Sequence, residues 1–279
     1  MLDYRLTQGA GLHALGSRSG PRVITIVSHG DPQSELPLLF NLCTALVRLD
    51  AAPVAVLDGS TAESTDNPGL AQLLIDSYRP FDVQNNQPAW DVIPAATGLQ
   101  KLCKTGRSSR THHSTGPAGT SALRELGGVF ESAGVVVIYA SAEVLIRLLA
   151  DSGGEPLLPV SASRTSRVSA YQALKRMLLT DGLRPTIATM VHQPVKSAIS
   201  AGLALSRNLQ DCAMYFLGYQ LDAFTLSAEP SGETSSPDMH RLALGLLERA
   251  KPLQTVSFMF GQQAFQIPAQ RHAHMAGGL

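Results

Sequence analysis

The residues most suited to binding or catalysis lie in a polar loop at positions 28–37, SHGDPQSELP. The loop follows an apolar, β-rich run at 23–28 and precedes a segment whose apolar residues are spaced like those of a helix. P-loop proteins hold phosphates in such a loop, using glycines for close backbone approach, a lysine for charge and a Ser or Thr for magnesium. This loop contains one glycine, Gly30, and no lysine.

Other groups that could do chemistry are Asp58, Tyr139 and the neighbouring pair His112 and His113. Asp58 could bind a metal, but a strand-end aspartate more often caps the following turn, and we favour that interpretation. Tyr139 is either an aromatic at the edge of the core or a plug in a vacant ligand site. The two histidines lie in a polar segment with no carboxylate or cysteine to complete a metal site, which favours solvated side chains.

The elements that must position these groups alternate between strand-like and helix-like segments. We predict strands at 23–28, 54–57, 135–139, 157–160 and 186–191, and helices at 36–49, 141–150, 169–179, 195–217 and 238–250. Continuous apolar strands joined by helical crossovers favour an α/β fold with a mostly parallel sheet and helices on both faces. The Gly- and Ser-rich segment 103–120 is predicted to be a mobile surface loop.

Composition narrows the class of protein. The chain has 279 residues, 44% of them hydrophobic, which suits one α/β domain. Its 22 basic and 22 acidic residues balance, so no direct nucleic-acid contact is predicted. No stretch approaches the roughly 20 apolar residues of a transmembrane helix, and the first residues lack the layout of a secretory signal, so we expect a cytoplasmic protein. The three cysteines are far apart and predict neither a disulfide framework nor a zinc site.

Residues 23–58 resemble the opening of MinD/ParA-type ATPases, P-loop proteins whose loop has the form S-G-K-G-G-V-G-K-T. Ser28 aligns with the first residue of that motif without a gap. In the same register the signature lysine is Gly30, the phosphate-gripping lysine is Glu35 and the magnesium threonine is Leu36. The resemblance therefore implies a P-loop fold whose loop has lost ATP and magnesium binding, so that no cofactor is expected and the chain is not expected to be an ATPase.

Charge at the altered positions supports the same expectation. Asp31 and Glu35 would face a triphosphate and repel it, and Pro32 removes an N–H donor from the loop. Asp58 matches the family's first aspartate after the second strand, and Tyr139 takes the place of the aspartate that opens its switch. The resemblance implies that both are vestiges of a nucleotide site.

Four further segments resemble the branch of that family containing the flagellar-number regulator FlhG, also called FleN. They occur in the family's order at 7–15, 92–102, 161–178 and 208–228. The first keeps Gln8 and Leu12, and it implies a partner-binding element at 1–20 centred on Gln8, Gly11 and Leu12. We therefore predict a MinD-like domain at 21–268 and a disordered tail at 269–279. No membrane-targeting amphipathic helix is evident at the C-terminus, so membrane association is not predicted.

The resemblance implies a regulator of flagellar number or placement. It would be located in the cytoplasm, and the cell pole is compatible with that role. It would act through protein contacts, with the flagellar GTPase FlhF or a flagellar transcriptional activator as partner. Two alternatives stay open. One is a degenerate ParA-like protein that serves polar pilus, secretion or cellulose assembly. The other is an enzyme with altered chemistry at the vacant P-loop, although no Ser/His/Asp arrangement is apparent in the sequence.

Overall fold

A central sheet of eight strands organises the computed structural model, which describes residues 20–50, 53–75, 90–108, 118–150, 152–192, 196–228 and 236–253. The strands are β1 (Arg22–Ser28), β2 (Val54–Asp58), β3 (Trp90–Pro94), β4 (Val135–Ser141), β5 (Leu157–Val160), β6 (Thr186–Val191), β7 (Ala223–Ser227) and β8 (Lys251–Pro252). The helices are α1 (Pro32–Asp50), α2 (Gly69–Leu73), α3 (Ala96–Ser108), α4 (Ala118–Val129), α5 (Ala142–Leu149), α6 (Arg164–Asp181), α7 (Lys196–Cys212) and α8 (Pro237–Arg249).

Seven strands run parallel in the order β3-β2-β4-β1-β5-β6-β7, and the short β8 pairs antiparallel with the start of β1. Because the strands are parallel, all their carboxyl ends lie at one edge of the sheet. The sequence prediction of a mostly parallel α/β sheet is confirmed.

Helices cover both faces of this sheet. Helices α1 and α8 pack on one face, where Leu42 and Leu242 are fully buried with β-strand residues such as Ile26. Helices α2 to α7 lie on the other, where Phe130 and Leu145 are fully buried. The apolar residues of the strands alternate between these two cores, as expected when each face of a sheet is covered.

Two helices begin earlier than their apolar spacing predicts, because polar residues cap them. Helix α1 was predicted from residue 36 but begins at Pro32, since the Asp31 carbonyl accepts the N–H groups of Ser34 and Glu35 at 3.0 Å each. Helix α6 was predicted from residue 169 but begins at Arg164, since the Ser163 hydroxyl accepts the N–H of Ser166 at 3.1 Å. Capping, rather than apolar periodicity, sets both starts.

The prediction of a surface loop at 103–120 is wrong at both ends. Helix α3 continues to Ser108 because Leu99, Leu102 and Cys103 form its buried stripe, and α4 already begins at Ala118. The predicted helix at 195–217 is also divided, since α7 ends at Cys212 and a π-helical turn covers Ala213–Leu217. The N-terminal element with Gln8, Gly11 and Leu12, His112 and His113, and the tail at 269–279 lie outside the described residues.

Candidate functional site

The polar loop after β1 lies at the carboxyl edge of the sheet, where β1 passes into α1. Strand β1 pairs with β4 on one side and with β5 on the other. This arrangement brings the loop at 28–31 beside Tyr139 of β4 and beside Ser161, which follows β5. Gly30 supplies the turn, with a φ of 86° that favours glycine.

Glu35 occupies the centre of this loop. Its side chain is 1% exposed, so the carboxylate is buried within the loop and not solvated. One oxygen, Oε1, accepts the backbone N–H groups of His29 at 2.8 Å and Asp31 at 2.9 Å. The other, Oε2, accepts the hydroxyls of Ser28 at 3.3 Å and of Tyr139.

These contacts make Glu35 an internal anion. A P-loop presents backbone N–H groups and a helix N-terminus to phosphate oxygens, and here both N–H donors point at a carboxylate from the first turn of α1 itself. Burial and the neighbouring Glu35 carboxylate raise the pKa of the Tyr139 phenol, so Tyr139 stays a neutral hydrogen-bond donor. Four donors therefore converge on a negative charge that the chain supplies.

Asp31 forms a second buried anchor beside the first. Its carboxylate accepts the hydroxyls of Ser34 at 2.6 Å and Ser161 at 2.8 Å. Burial opposes ionisation of this carboxyl, but the hydroxyls of Ser166, Ser34 and Ser161 outweigh it and lower the pKa below its usual 3.8, with help from the nearby His29. Asp31 thereby joins the start of α1 to the loop that leads into α6.

His29 makes a second connection from this loop toward α6. Its Nε2 donates to the Pro159 carbonyl at 2.7 Å, and its Nδ1 lies 2.9 Å from the Ser169 hydroxyl of α6 and 3.6 Å from Glu35 Oε1. A serine beside an imidazole is also the geometry of a nucleophile and its base. However, the imidazole is 3% exposed and the Ser169 hydroxyl also bonds to the Thr165 carbonyl at 3.0 Å, so the pair holds the loop to α6.

The side chains of Asp58 and Leu36 make no hydrogen bond to this network, although Asp58 lies opposite Tyr139 in the pairing of β2 with β4. Asp58 caps the turn after β2, because its carboxylate accepts the Ser60 N–H at 2.9 Å and the hydroxyls of Ser60 and Thr61 at 2.6 Å each. Leu36, at the magnesium threonine position, is 54% exposed and offers no oxygen. The structure thus brings Ser28, Glu35 and Tyr139 together and leaves Asp58 and Leu36 outside the contact.

Several solved structures match this fold at low sequence identity. A ParA family ATPase from Chlorobium tepidum matches with a TM-score of 0.48 and 15% identity, over 81% of this chain and 98% of that chain. MinD from Aquifex aeolicus matches with a TM-score of 0.48 and 14% identity, over 84% of this chain and 100% of that one. Cobyrinic acid a,c-diamide synthase from Mycobacterium smegmatis, with bound ADP and magnesium, matches with a TM-score of 0.49 and 13% identity, over 84% of this chain and 99% of that one.

These scores are below 0.5, so the resemblance transfers no activity, nucleotide or partner to this chain. No protein-family model matches the sequence, and no curated protein matches it significantly. Across the described ranges, no helix is long and apolar enough to cross a membrane. The same ranges contain no group of three His, Cys, Asp or Glu side chains able to hold a metal ion.

Sequence reasoning missed several residues of the site. His29 and Ser169 are separated by 140 positions and Asp31 and Ser161 by 130, so no local spacing could pair them. One signal was available for Asp31, because an aspartate followed by proline is a common start of a helix. The inward turn of Glu35 had no such signal.

Another carboxylate, that of Glu63, lies at the N-terminus of α3. Glu63 accepts the N–H groups of Thr97 at 2.6 Å and Gly98 at 2.7 Å, across more than thirty residues of sequence. Burial opposes its ionisation, but these hydrogen bonds dominate and lower its pKa below 4.5. The end of this helix, like the P-loop, is therefore occupied by an acidic group of the chain itself.

Replacing Glu63 with alanine is expected to lower the free energy of unfolding by about 1 kcal/mol, because the first turn of α3 loses its cap and a favourable charge at its N-terminus. Urea unfolding at neutral pH measures the change. Asp66→Asn is the control, since Asp66 is an exposed carboxylate in the same loop and should leave stability nearly unchanged. Equal effects of the two substitutions would contradict the capping role.

Proposed function

We propose that this chain is a catalytically inactive pseudo-ATPase of the MinD/FlhG type, which acts through protein contacts. The observation that carries the proposal is the position of the Glu35 carboxylate on the N–H groups of His29 and Asp31. Those are donors that a nucleotide phosphate would need. A phosphate entering the loop would have to displace a buried carboxylate that is satisfied by four hydrogen bonds.

Magnesium-bound ATP does not suit the residues of this loop. The position that would coordinate magnesium holds Leu36, which has no ligand atom. The Asp58 carboxylate is engaged by Ser60 and Thr61, and Glu35 would stand close to the phosphates and repel them. We therefore infer that the chain neither binds nor hydrolyses ATP.

The Glu35 carboxylate in the place of a nucleotide phosphate supports a regulatory role that does not depend on ATP. In active relatives ATP drives dimerisation, whereas a loop occupied by its own carboxylate cannot alternate between loaded and empty states. The contacts of Asp31 with Ser161 and of His29 with Ser169 hold the start of α1 and α6 in one arrangement. We propose that the protein serves as a fixed regulator of flagellar number or placement, with the GTPase FlhF or a flagellar transcriptional activator as its partner.

A pull-down from cells tests this role. Tagged full-length chain is expected to capture one of the two flagellar partners, and a chain lacking residues 1–15 is expected to fold normally and capture none. Gln8→Ala with Leu12→Ala serves as a milder version, and circular dichroism checks the folding of each variant. Capture of pilus, secretion or cellulose components instead would reject the flagellar role, and undiminished capture by the shortened chain would reject the N-terminal site.

A further inference from the structure

Helix α7 and the π-helical turn after it expose five large apolar side chains. Ile199 and Leu203 are exposed on α7, and Met214, Tyr215 and Phe216 follow on the turn. Tyr215 is 82% exposed and Phe216 76% exposed. Three consecutive large apolar residues on the surface mark an interaction site more often than scattered ones do. We call these five residues the α7 surface.

The backbone that carries this surface is held at its end. Gly218 ends the turn with a φ of 73°, and its N–H donates to the Met214 carbonyl at 3.1 Å. The N–H of Tyr219 donates to Ala213 at 3.1 Å, and the Gln210 amide donates to the Leu221 carbonyl at 2.6 Å. A surface ordered in advance loses less conformational entropy when it binds a partner.

Charges on the same side of α7 indicate which partner fits. Arg207 and Asp211 are exposed and lie one helical turn apart, and in the described part of the chain no ion pair involves either of them. A face that carries opposite charges at adjacent turns is complementary to itself when two copies of the helix pack antiparallel. A two-fold axis at the level of Leu209 sets Arg207 of each copy opposite Asp211 of the other.

The same register also pairs three of the five residues of the α7 surface with apolar positions of the other copy. It places Leu203 of one copy near the level of Tyr215 of the other, and Met214 near the level of Ala204, because each pair is equally spaced in sequence about residue 209. The match is close and not exact, since Met214 and Tyr215 lie in the π-helical turn. We propose that the α7 surface binds a second copy of this chain in an isologous, antiparallel helix pair. Helix α7 packs on β6 and β7, away from β1 and its loop, so this dimer forms without nucleotide and leaves the P-loop edge free.

Sedimentation equilibrium of the purified full-length chain tests the proposal. The wild type is expected to dimerise with a dissociation constant on the order of micromolar, typical of a small interface. Arg207→Glu alone and Asp211→Arg alone should each weaken the dimer by about tenfold or more, because like charges then face each other. The double variant should restore it to near the wild-type value. Arg167→Glu, an exposed charge reversal on α6, is the matched control.

Three results would overturn the proposal. A wild type that stays monomeric at all concentrations excludes a second copy, and a dimer insensitive to both single reversals excludes this register. A chain that dimerises only after removal of residues 254–279 would show that its own C-terminal segment covers the α7 surface. The test is independent of the proposed pseudo-ATPase role, because ATP binding and partner capture are measured separately.

Discussion

Replacing Glu35 with alanine is expected to lower the free energy of unfolding by about 3 kcal/mol, the largest effect of any single substitution at this site. The substitution leaves the buried N–H groups of His29 and Asp31 and the Tyr139 hydroxyl without their acceptor. Unpaired buried donors are costly because they give up hydrogen bonds to water and gain none in the protein.

Urea unfolding at neutral pH measures this loss, and a double-mutant cycle with Tyr139→Phe isolates one part of it. We expect Glu35 and Tyr139 to be coupled by about 1 kcal/mol or more, since they share a buried hydrogen bond. Glu143→Ala is the control, because Glu143 is an exposed partner of Arg176 and should change stability by less than about 1 kcal/mol. An effect of Glu35→Ala no larger than that of the control would refute the internal-anion account.

The second large effect concerns Asp31. Asp31→Ala is expected to lower the free energy of unfolding by about 2 kcal/mol, because it removes the acceptor for the hydroxyls of Ser34 and Ser161 and loosens the connection between α1 and α6. Urea unfolding measures it, with Gln33→Ala, at an exposed position of the same turn, as the control. A loss no greater than that of the control would mean that this connection does not stabilise the fold.

The contribution of Asp31 to stability should also depend on pH. Folding lowers the pKa of Asp31, so the folded state holds the proton less tightly than the unfolded chain does. Its contribution is complete above the unfolded pKa of about 3.8 and is lost as the pH falls through the lower folded value. The stability difference between wild type and Asp31→Asn should therefore be constant near neutral pH and shrink in acid. A difference that grows in acid would contradict this assignment.

The sequence was sufficient for the parallel sheet, because β1, β4 and β6 are continuous apolar runs whose pattern differs from that of the intervening helices. The first residues of helices were harder to predict, because Asp31 and Ser163 cap helices ahead of the first apolar residues. The short strand β3 and helix α2 were not predicted. Each of these elements buries too few residues to show a periodic spacing of apolar side chains in the sequence.

The candidate site was also only partly predictable from the sequence. Its position was predictable, because a strand followed by a loop and a helix leaves a recognisable order of residues, and the missing lysine was visible in the sequence. The orientation of Glu35 was not, since an acidic residue in a first helical turn is ordinarily exposed. Its inward turn depends on Tyr139, 104 positions away, and on backbone donors that exist only once the loop has folded.

Calorimetric titration with Mg-ATP tests the central claim most directly, with an active P-loop ATPase measured in parallel. The account predicts no heat of binding for this chain, because the Glu35 carboxylate occupies the N–H groups that phosphate would need. Binding of Mg-ATP with a dissociation constant on the order of micromolar, or about −8 kcal/mol, would contradict it. That result would mean that the carboxylate leaves the loop when a nucleotide arrives.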